Sequence, residues 1–188
     1  SDGSEARPRY QLSVMNDGET EKLSCRSLVI ATGALSIPTL GGSGYGYEIA
    51  RQFSQPLTER RAGLVPFMFS DSLKPVCERL AGLAIEVELT CNGHSFVENI
   101  LFTHRGISGP AALQISNYWT PGEELIVNLL PAIDAGGFLL AAKQARPASL
   151  LRTVLAEKLP KALVSALQTL FRDRRAETPL GEYPDDAL

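Results

Sequence analysis

Apolar and polar residues alternate through Tyr10-Gln-Leu-Ser-Val-Met15, the period of a half-buried strand. Asn16-Asp17-Gly18-Glu19 is a turn sequence, and extended structure resumes from Leu23 to Arg26, so the opening reads as a β-hairpin or meander. Ser27 to Gly33 has a different pattern: it is almost continuously apolar and closes on Ala-Thr-Gly. That predicts a strand buried on both faces of a parallel sheet. Pro38, Gly41, Gly42, Gly44 and Gly46 then form an irregular loop, and Ile49 and Phe53, at i and i+4, mark a short helix from Gly46 to Phe53.

Beyond Arg60-Arg61 the pattern changes. Leu64 to Phe69 is an apolar strand interrupted by Pro66, which places it at an edge or bulge. Ser72 to Leu80 reads as a helix. Ala84 to Cys91 sets Ile85, Val87 and Leu89 against Glu86, Glu88 and Thr90; Asn92-Gly93 turns the chain, and His94 to Thr103 returns it. Leu125 to Leu130 is a further strand, closed by Pro131. Hairpin-linked strands of this kind bury their apolar faces in a small barrel or sandwich. From Gly137 the period becomes helical: Phe138 to Arg146 first, then a helix capped by Ser149 with Leu151, Val154, Leu155 and Leu159 as its stripe. After Pro160 a third helix carries Leu163, Val164, Leu167, Leu170 and Phe171, and the three together predict a small bundle. Ala176 to Leu188, with Pro179 and Pro184, reads as a loop or frayed tail.

Composition narrows the function. With 44% hydrophobic and 21% charged residues, the chain can bury a real core. Its formal charge of -3 argues against nucleic acid or an anionic membrane as a partner, and Arg172, Arg174 and Arg175 read as a solvated helix end. Cys25, Cys77 and Cys91 are odd in number and widely spaced, which speaks for reduced thiols in a cytoplasmic protein and against a disulfide framework or a zinc site. There is no apolar run of membrane-spanning length and no signal peptide. The first residue is not methionine, so Ser1-Asp-Gly-Ser-Glu reads as a tag scar or a cut edge.

Three motifs could carry chemistry. Gly42-Ser-Gly44-Tyr-Gly46 departs from G-x-G-x-x-G and reads as a flexible loop rather than a dinucleotide fingerprint. Ala31-Thr32-Gly33 ends an apolar run in small residues, which lets the backbone pass close to a flat ligand; a plain strand end explains it equally well. Phe102-Thr-His-Arg-Gly-Ile-Ser-Gly-Pro110 ends a strand, turns at Gly106, and opens a helix capped by Ser108 or Gly109 with Pro110 in its first turn. It suits either an anion site, with His104 and Arg105 as added donors, or a structural capping turn. Tyr118 and Trp119 could stack on a ligand, though packing is the commoner fate of such a pair.

Taken together, Ala31-Thr-Gly33, Leu35-Ser-x-Pro38, Gly46-Tyr-x-Ile-Ala50, Arg61-Ala-Gly-Leu-Val-Pro66 and Phe102 to Pro110 resemble one bacterial family of FAD-binding flavoproteins. It includes aminoacetone-oxidase-like and bile-acid-reductase-like proteins. The resemblance implies an α+β chain: residues 1–62 from a Rossmann-type FAD-binding domain, and 63–188 an insert domain, β-rich over 63–131 and helical over 137–172. It implies an NAD(P)/FAD-dependent oxidoreductase acting on a small molecule, with Ala31, Thr32, Gly33, Thr103, His104, Arg105, Gly106, Ser108 and Gly109 toward the cofactor, and no metal. The family's second glycine after Ala-Thr-Gly is Ala34 here, and its glycine-rich fingerprint is absent. This piece alone is therefore expected neither to hold FAD nor to turn over substrate, and to self-associate through exposed edges. The rival reading is a non-catalytic interaction module.

Overall fold

The computed structural model describes residues 8–36, 38–171 and 177–188, and the chain divides into two compact units, 1–60 and 61–188. The opening Ser1 to Glu5 and the Arg172, Arg174, Arg175 cluster lie outside the described residues.

In the first unit β1 (Tyr10–Asn16) and β2 (Glu19–Cys25) pair antiparallel, Tyr10 opposite Cys25 and Asn16 opposite Glu19. Asp17 and Gly18 both take positive φ, +49° and +87°, as a two-residue hairpin turn demands. The helix α1 (Tyr45–Gln52) follows, and the Tyr10 and Phe53 rings meet edge-on at 5.9 Å. Leu28 to Gly33 does not form the buried strand its pattern predicts. It is irregular, with Val29 83% exposed. A strand of a parallel sheet is held by ladders on both sides, and the β1–β2 pair is the only sheet described in this unit.

The second unit begins with β3 (Phe67–Met68), α2 (Leu73–Arg79), β4 (Ala84–Cys91), β5 (His94–Thr103), β6 (Gly106–Ser108), α3 (Pro110–Ile115) and β7 (Ile126–Asn128). Its described strands form one curled, half-barrel antiparallel sheet in the order β3-β6-β5-β4-β7, so the chain is α+β. Period-two alternation sends Val87, Leu89 and Cys91 of β4 inward, with Ile100 and Phe102 of β5, while Glu86 is left exposed on the other face and Glu88 is only half-buried. Asn92 and Gly93 close that hairpin at φ +49° and +74°. Across the buried face lies α3, whose Ala111, Ala112 and Ile115 have no exposed surface. Two alanines on its inner side let the helix backbone approach β4 and β5 closely.

The expected strand Leu64 to Phe69 shrinks to Phe67–Met68 at the sheet edge. Pro66 has no N–H to give a ladder, and the preceding amides are taken by side chains instead. Leu64 N donates to Asn117 Oδ1 at 3.2 Å and Val65 N to Ser116 Oγ at 3.0 Å.

The helices are α4 (Ala135–Ala145), α5 (Leu151–Leu155) and α6 (Lys161–Phe171). They do not make one bundle. Leu163 and Val164 of α6 join the core under the sheet, whereas Leu139 and Ala142 of α4 form a separate cluster with Val154 and Leu180. Ser149 does not cap α5 with its side chain; Leu150 is the capping position, and the Ser149 carbonyl accepts from Leu180 N at 2.7 Å. The end of the chain is not frayed. Pro179 bridges to Leu150, Leu180 is fully buried, and Tyr183 is 6% exposed. One buried leucine among prolines leaves no period to read, which is why the pattern suggests a tail.

Gly106 marks the tightest backbone approach in the sheet, because a Cβ there would run into the Phe67 carbonyl. Gly106→Ala is expected to lower unfolding stability by about 3 kcal/mol. Gly122→Ala, at φ +99° with open space around it, should cost only about 1 kcal/mol. Urea unfolding of the two variants measures the difference.

Candidate functional site

The β5–β6 turn holds most of the expected site residues. Thr103 Oγ1 donates to the Gly106 carbonyl at 3.2 Å and accepts from Arg105 N at 3.3 Å, which fixes the turn from within. The side chains of His104 and Arg105 are left exposed, while the Arg105 carbonyl accepts from Phe69 N at 2.9 Å. Gly109 precedes α3 at φ +92°; a Cβ there would lie 2.8 Å from both the Asn99 carbonyl oxygen and Leu101 N. Strand packing therefore accounts for Gly106 and Gly109 without a ligand. Neither Ser108 nor Gly109 supplies a side-chain cap to α3. The turn thus presents an imidazole and a guanidinium on a rigid base.

In the first unit Ala31, Thr32 and Gly33 are all exposed. Gly33 takes φ +73°, and a Cβ there would meet nothing closer than the Gly42 Cα, at 3.8 Å. On the other side α1 holds the segment in place: a Cβ at Gly46 would sit 3.2 Å from Thr32 Oγ1 and 3.4 Å from Ile30 Cγ2. The segment is a small-residue wall backed by a helix, which fits the face of a flat ring system. A groove of about 610 Å³ runs between β1 and α1, lined by Tyr10, Leu12, Val14, Tyr45, Ile49 and Phe53 among others.

Trp119 serves packing: its Nε1 donates to the Glu123 carbonyl at 2.9 Å and its ring meets Phe67 edge-on at 5.4 Å. Tyr118 is 40% exposed and stacks on His94 at 3.8 Å between ring centroids. Burial pushes the Cys77 thiol up, helped by the Asp71 carboxylate; Cys91 is pushed up by burial and by Glu123. Neither is poised as a thiolate.

Another cavity has no counterpart among the sequence motifs. A groove of about 680 Å³ lies between α5 and α6, with Arg152, Thr153, Glu157, Lys161, Ser165 and Gln168 on its walls. A smaller recess of about 310 Å³ is bordered by Ile85, Glu86, Lys158 and Leu129 to Ile133.

Comparison with known proteins gives these features a context. The family described as "HI0933-like protein barrel and H2TH domain" matches residues 61–186. The ribosomal RNA dihydrouridine synthase of Escherichia coli (strain K12) is 48% identical over 167 residues, covering 88% of this chain and 39% of that protein. The ribosomal RNA dihydrouridine synthase of Haemophilus influenzae (strain ATCC 51907 / DSM 11121 / KW20 / Rd) is 47% identical over 141 residues, 74% of this chain and 35% of that protein. The chain spans less than half the length of these curated relatives.

These findings correct the sequence reading. The relatives are ribosomal RNA dihydrouridine synthases, so the likeness to aminoacetone-oxidase-like and bile-acid-reductase-like proteins does not hold as an assignment. The motifs behind it, Ala31 to Gly33 and Phe102 to Pro110, serve local backbone geometry, and such geometry reports a fold and not a substrate. The small-molecule oxidoreductase and the exclusion of nucleic acid fall with it, since the relatives act on ribosomal RNA. Net charge reports a sum over the chain and not the chemistry of any one surface, so it carried less than the expectation asked of it. No helix among the described residues is long and apolar enough to cross a membrane.

Ion pairs tie the helices to one another and to the closing segment. Arg146 Nη1 donates to Glu157 Oε1 at 2.6 Å, and Arg152 meets both carboxylate oxygens of Glu177. Lys143 donates to Asp185 Oδ1 at 2.5 Å and to the Tyr183 carbonyl at 2.6 Å. The Arg146 guanidinium, by hydrogen bond first and by charge second, holds the Glu157 carboxyl below the usual range; Arg152 does the same to Glu177. A lowered carboxylate pKa stabilises the fold above the ordinary glutamate value, and the contribution fades as pH falls through the folded value. Arg146→Met is expected to move the Glu157 titration upward, with the Lys158 charge still holding it somewhat down, followed by NMR of the side-chain carboxyl carbons. It should leave Glu177 where it was.

Proposed function

The chain belongs to the HI0933-like family with its barrel and H2TH domain, and from that membership we propose that it is part of a ribosomal RNA dihydrouridine synthase. The observation that carries the reading is 48% identity along 88% of the chain to an enzyme of that name. The reaction saturates the C5–C6 bond of a uracil ring: a hydride goes to one carbon, a proton to the other, and the reductant gives up two electrons. Side chains supply protons but not hydrides, so the reductant is a cofactor. A reduced flavin, FAD in this reading, supplies the hydride when bound. Its isoalloxazine face fits the exposed Ala31-Thr32-Gly33 wall, where no side chain larger than threonine stands in the way.

On this reading residues 1–62 are a segment of the FAD-binding domain and 63–188 the insert that meets the RNA. The Leu28 to Gly33 run then finds its ladder in sheet strands supplied by the rest of the protein. The Thr103-pinned turn offers His104 and Arg105 as donors to a uracil carbonyl or a flanking phosphate.

Nucleoside mass spectrometry of ribosomal RNA tests the proposal. Deleting the gene should abolish one dihydrouridine, and restoring the full-length gene should bring it back. An unchanged dihydrouridine content in the deletion strain would sink the assignment.

A further inference from the structure

The second unit is entered through a short stretch whose backbone is bent against its own preference. Leu64 takes φ +53°, in the left-handed region. Asp17 and Asn92 share that region, but they lie in hairpin turns and are of the residue types that tolerate it. Leu64 is not of that type, and its side chain, 60% exposed, is not held there by packing.

What holds it is the end of α3. Asn117 Oδ1 accepts from Leu64 N at 3.2 Å, and Ser116 Oγ accepts from Val65 N at 3.0 Å. Asn117 lies this close because residue 63 is glycine: a Cβ there would sit 2.6 Å from Asn117 Oδ1. The receiving side is firm. Ser116 Oγ also donates to the Leu113 carbonyl at 2.7 Å, Asn117 Nδ2 to the Gln114 carbonyl at 3.2 Å, and Trp119 Nε1 to the Glu123 carbonyl at 2.9 Å. Arg61 leans on the same loop; its charge adds to the lowering of the Glu123 carboxyl, after the hydrogen bonds from Asn92 and Thr120. The held side is loose. From Gln55 to Leu64 every residue is exposed and none belongs to a helix or strand.

Two hydrogen bonds near the surface are of the same order as the cost of one leucine in the left-handed region, so the bound and released arrangements lie close to balance. We propose that Gly63-Leu64-Val65 is a releasable latch on the end of α3, closed as the structure shows it and open when Leu64 leaves the left-handed region. The pivot is Pro66, because the next residue, Phe67, is fixed by pairing with Ile107 and by the Trp119 ring.

Opening lengthens the covalent connection into the unit. Upstream, the Arg60 guanidinium rests over the Tyr47 ring, 4.7 Å from its centroid. With the latch closed, only Arg61 and Ala62 separate that hold point from the next. With it open the span runs from Arg61 to Val65, which adds about 10 Å of reach. The latch is thus a length switch in the tether, and it acts whatever substrate the protein takes.

Residue-resolved hydrogen exchange on the full-length protein tests it. The reference is the Phe102 amide, which donates to the Leu83 carbonyl at 2.9 Å. In the wild type the amides of residues 64 and 65 should exchange at least about tenfold faster than Phe102. Leu64→Asn, which occupies the left-handed region at lower cost, should close the latch and slow both amides by roughly threefold to tenfold. Gly63→Ala should open it, since the glycine is outside the left-handed region and the added methyl only pushes the Asn117 carboxamide away. Both amides should then exchange about tenfold faster, and Asn117→Ala should do the same. Phe102 should keep its rate in all three variants, which a general loss of stability would not allow. The latch is refuted if the two wild-type amides exchange as slowly as Phe102. It is equally refuted if Leu64→Asn or Gly63→Ala leaves them within twofold of the wild type; the segment is then a fixed part of the fold.

Discussion

The second unit is organised around one close approach. At Gly106 the β6 backbone lies so near the Phe67 carbonyl that no side chain fits between them, and at Gly109 the chain passes equally near Asn99 and Leu101. These two contacts seat the edge strand β3, set the start of α3, and bring Ala111 and Ala112 down onto β4 and β5. The Thr103–Gly106 turn just ahead of them is held from within, Thr103 Oγ1 donating to the Gly106 carbonyl and accepting from Arg105 N. His104 and Arg105 are exposed on that turn. Their side chains face solvent while the backbone beneath them bears the structural load.

Much of this unit could be read directly from residue order. The β4–β5 hairpin was legible because two independent signals coincide there, a period-two stretch and an Asn92-Gly93 turn that needs positive φ twice. The bounds of α2 were legible within one residue and α6 was legible by its stripe after Pro160, because both face a core in the same chain; α4 begins at Ala135, three residues ahead of the expected Phe138. Leu28 to Gly33 misled for the opposite reason. Its pattern states how a strand would be buried, but burial requires neighbours, and Val29 here faces solvent. Leu180 was missed because a single anchor has no period.

The candidate site and the cavities were less legible, and in a particular way. Thr103 to Gly109 stood out because glycine and proline punctuate local geometry, which is visible along the chain. Arg152, Thr153, Lys161, Ser165 and Gln168 did not, because they come together only when α5 folds back against α6. What identifies such a groove is the topology that brings two helices together, which residue order alone does not print.

The closing segment adds a last point. Glu177 and Asp185 reach back to Arg152 and Lys143, and between them Leu180 is sunk into the cluster of Leu139, Ala142 and Val154. The same dozen residues thus seal an apolar seam and neutralise a lysine of α4 and an arginine of α5. Trimming the chain before Glu177 would strip both at once: the seam would open in the same stroke that left those two cations without these carboxylates. Seal and counter-charge ride on one strap, so neither can be lost alone.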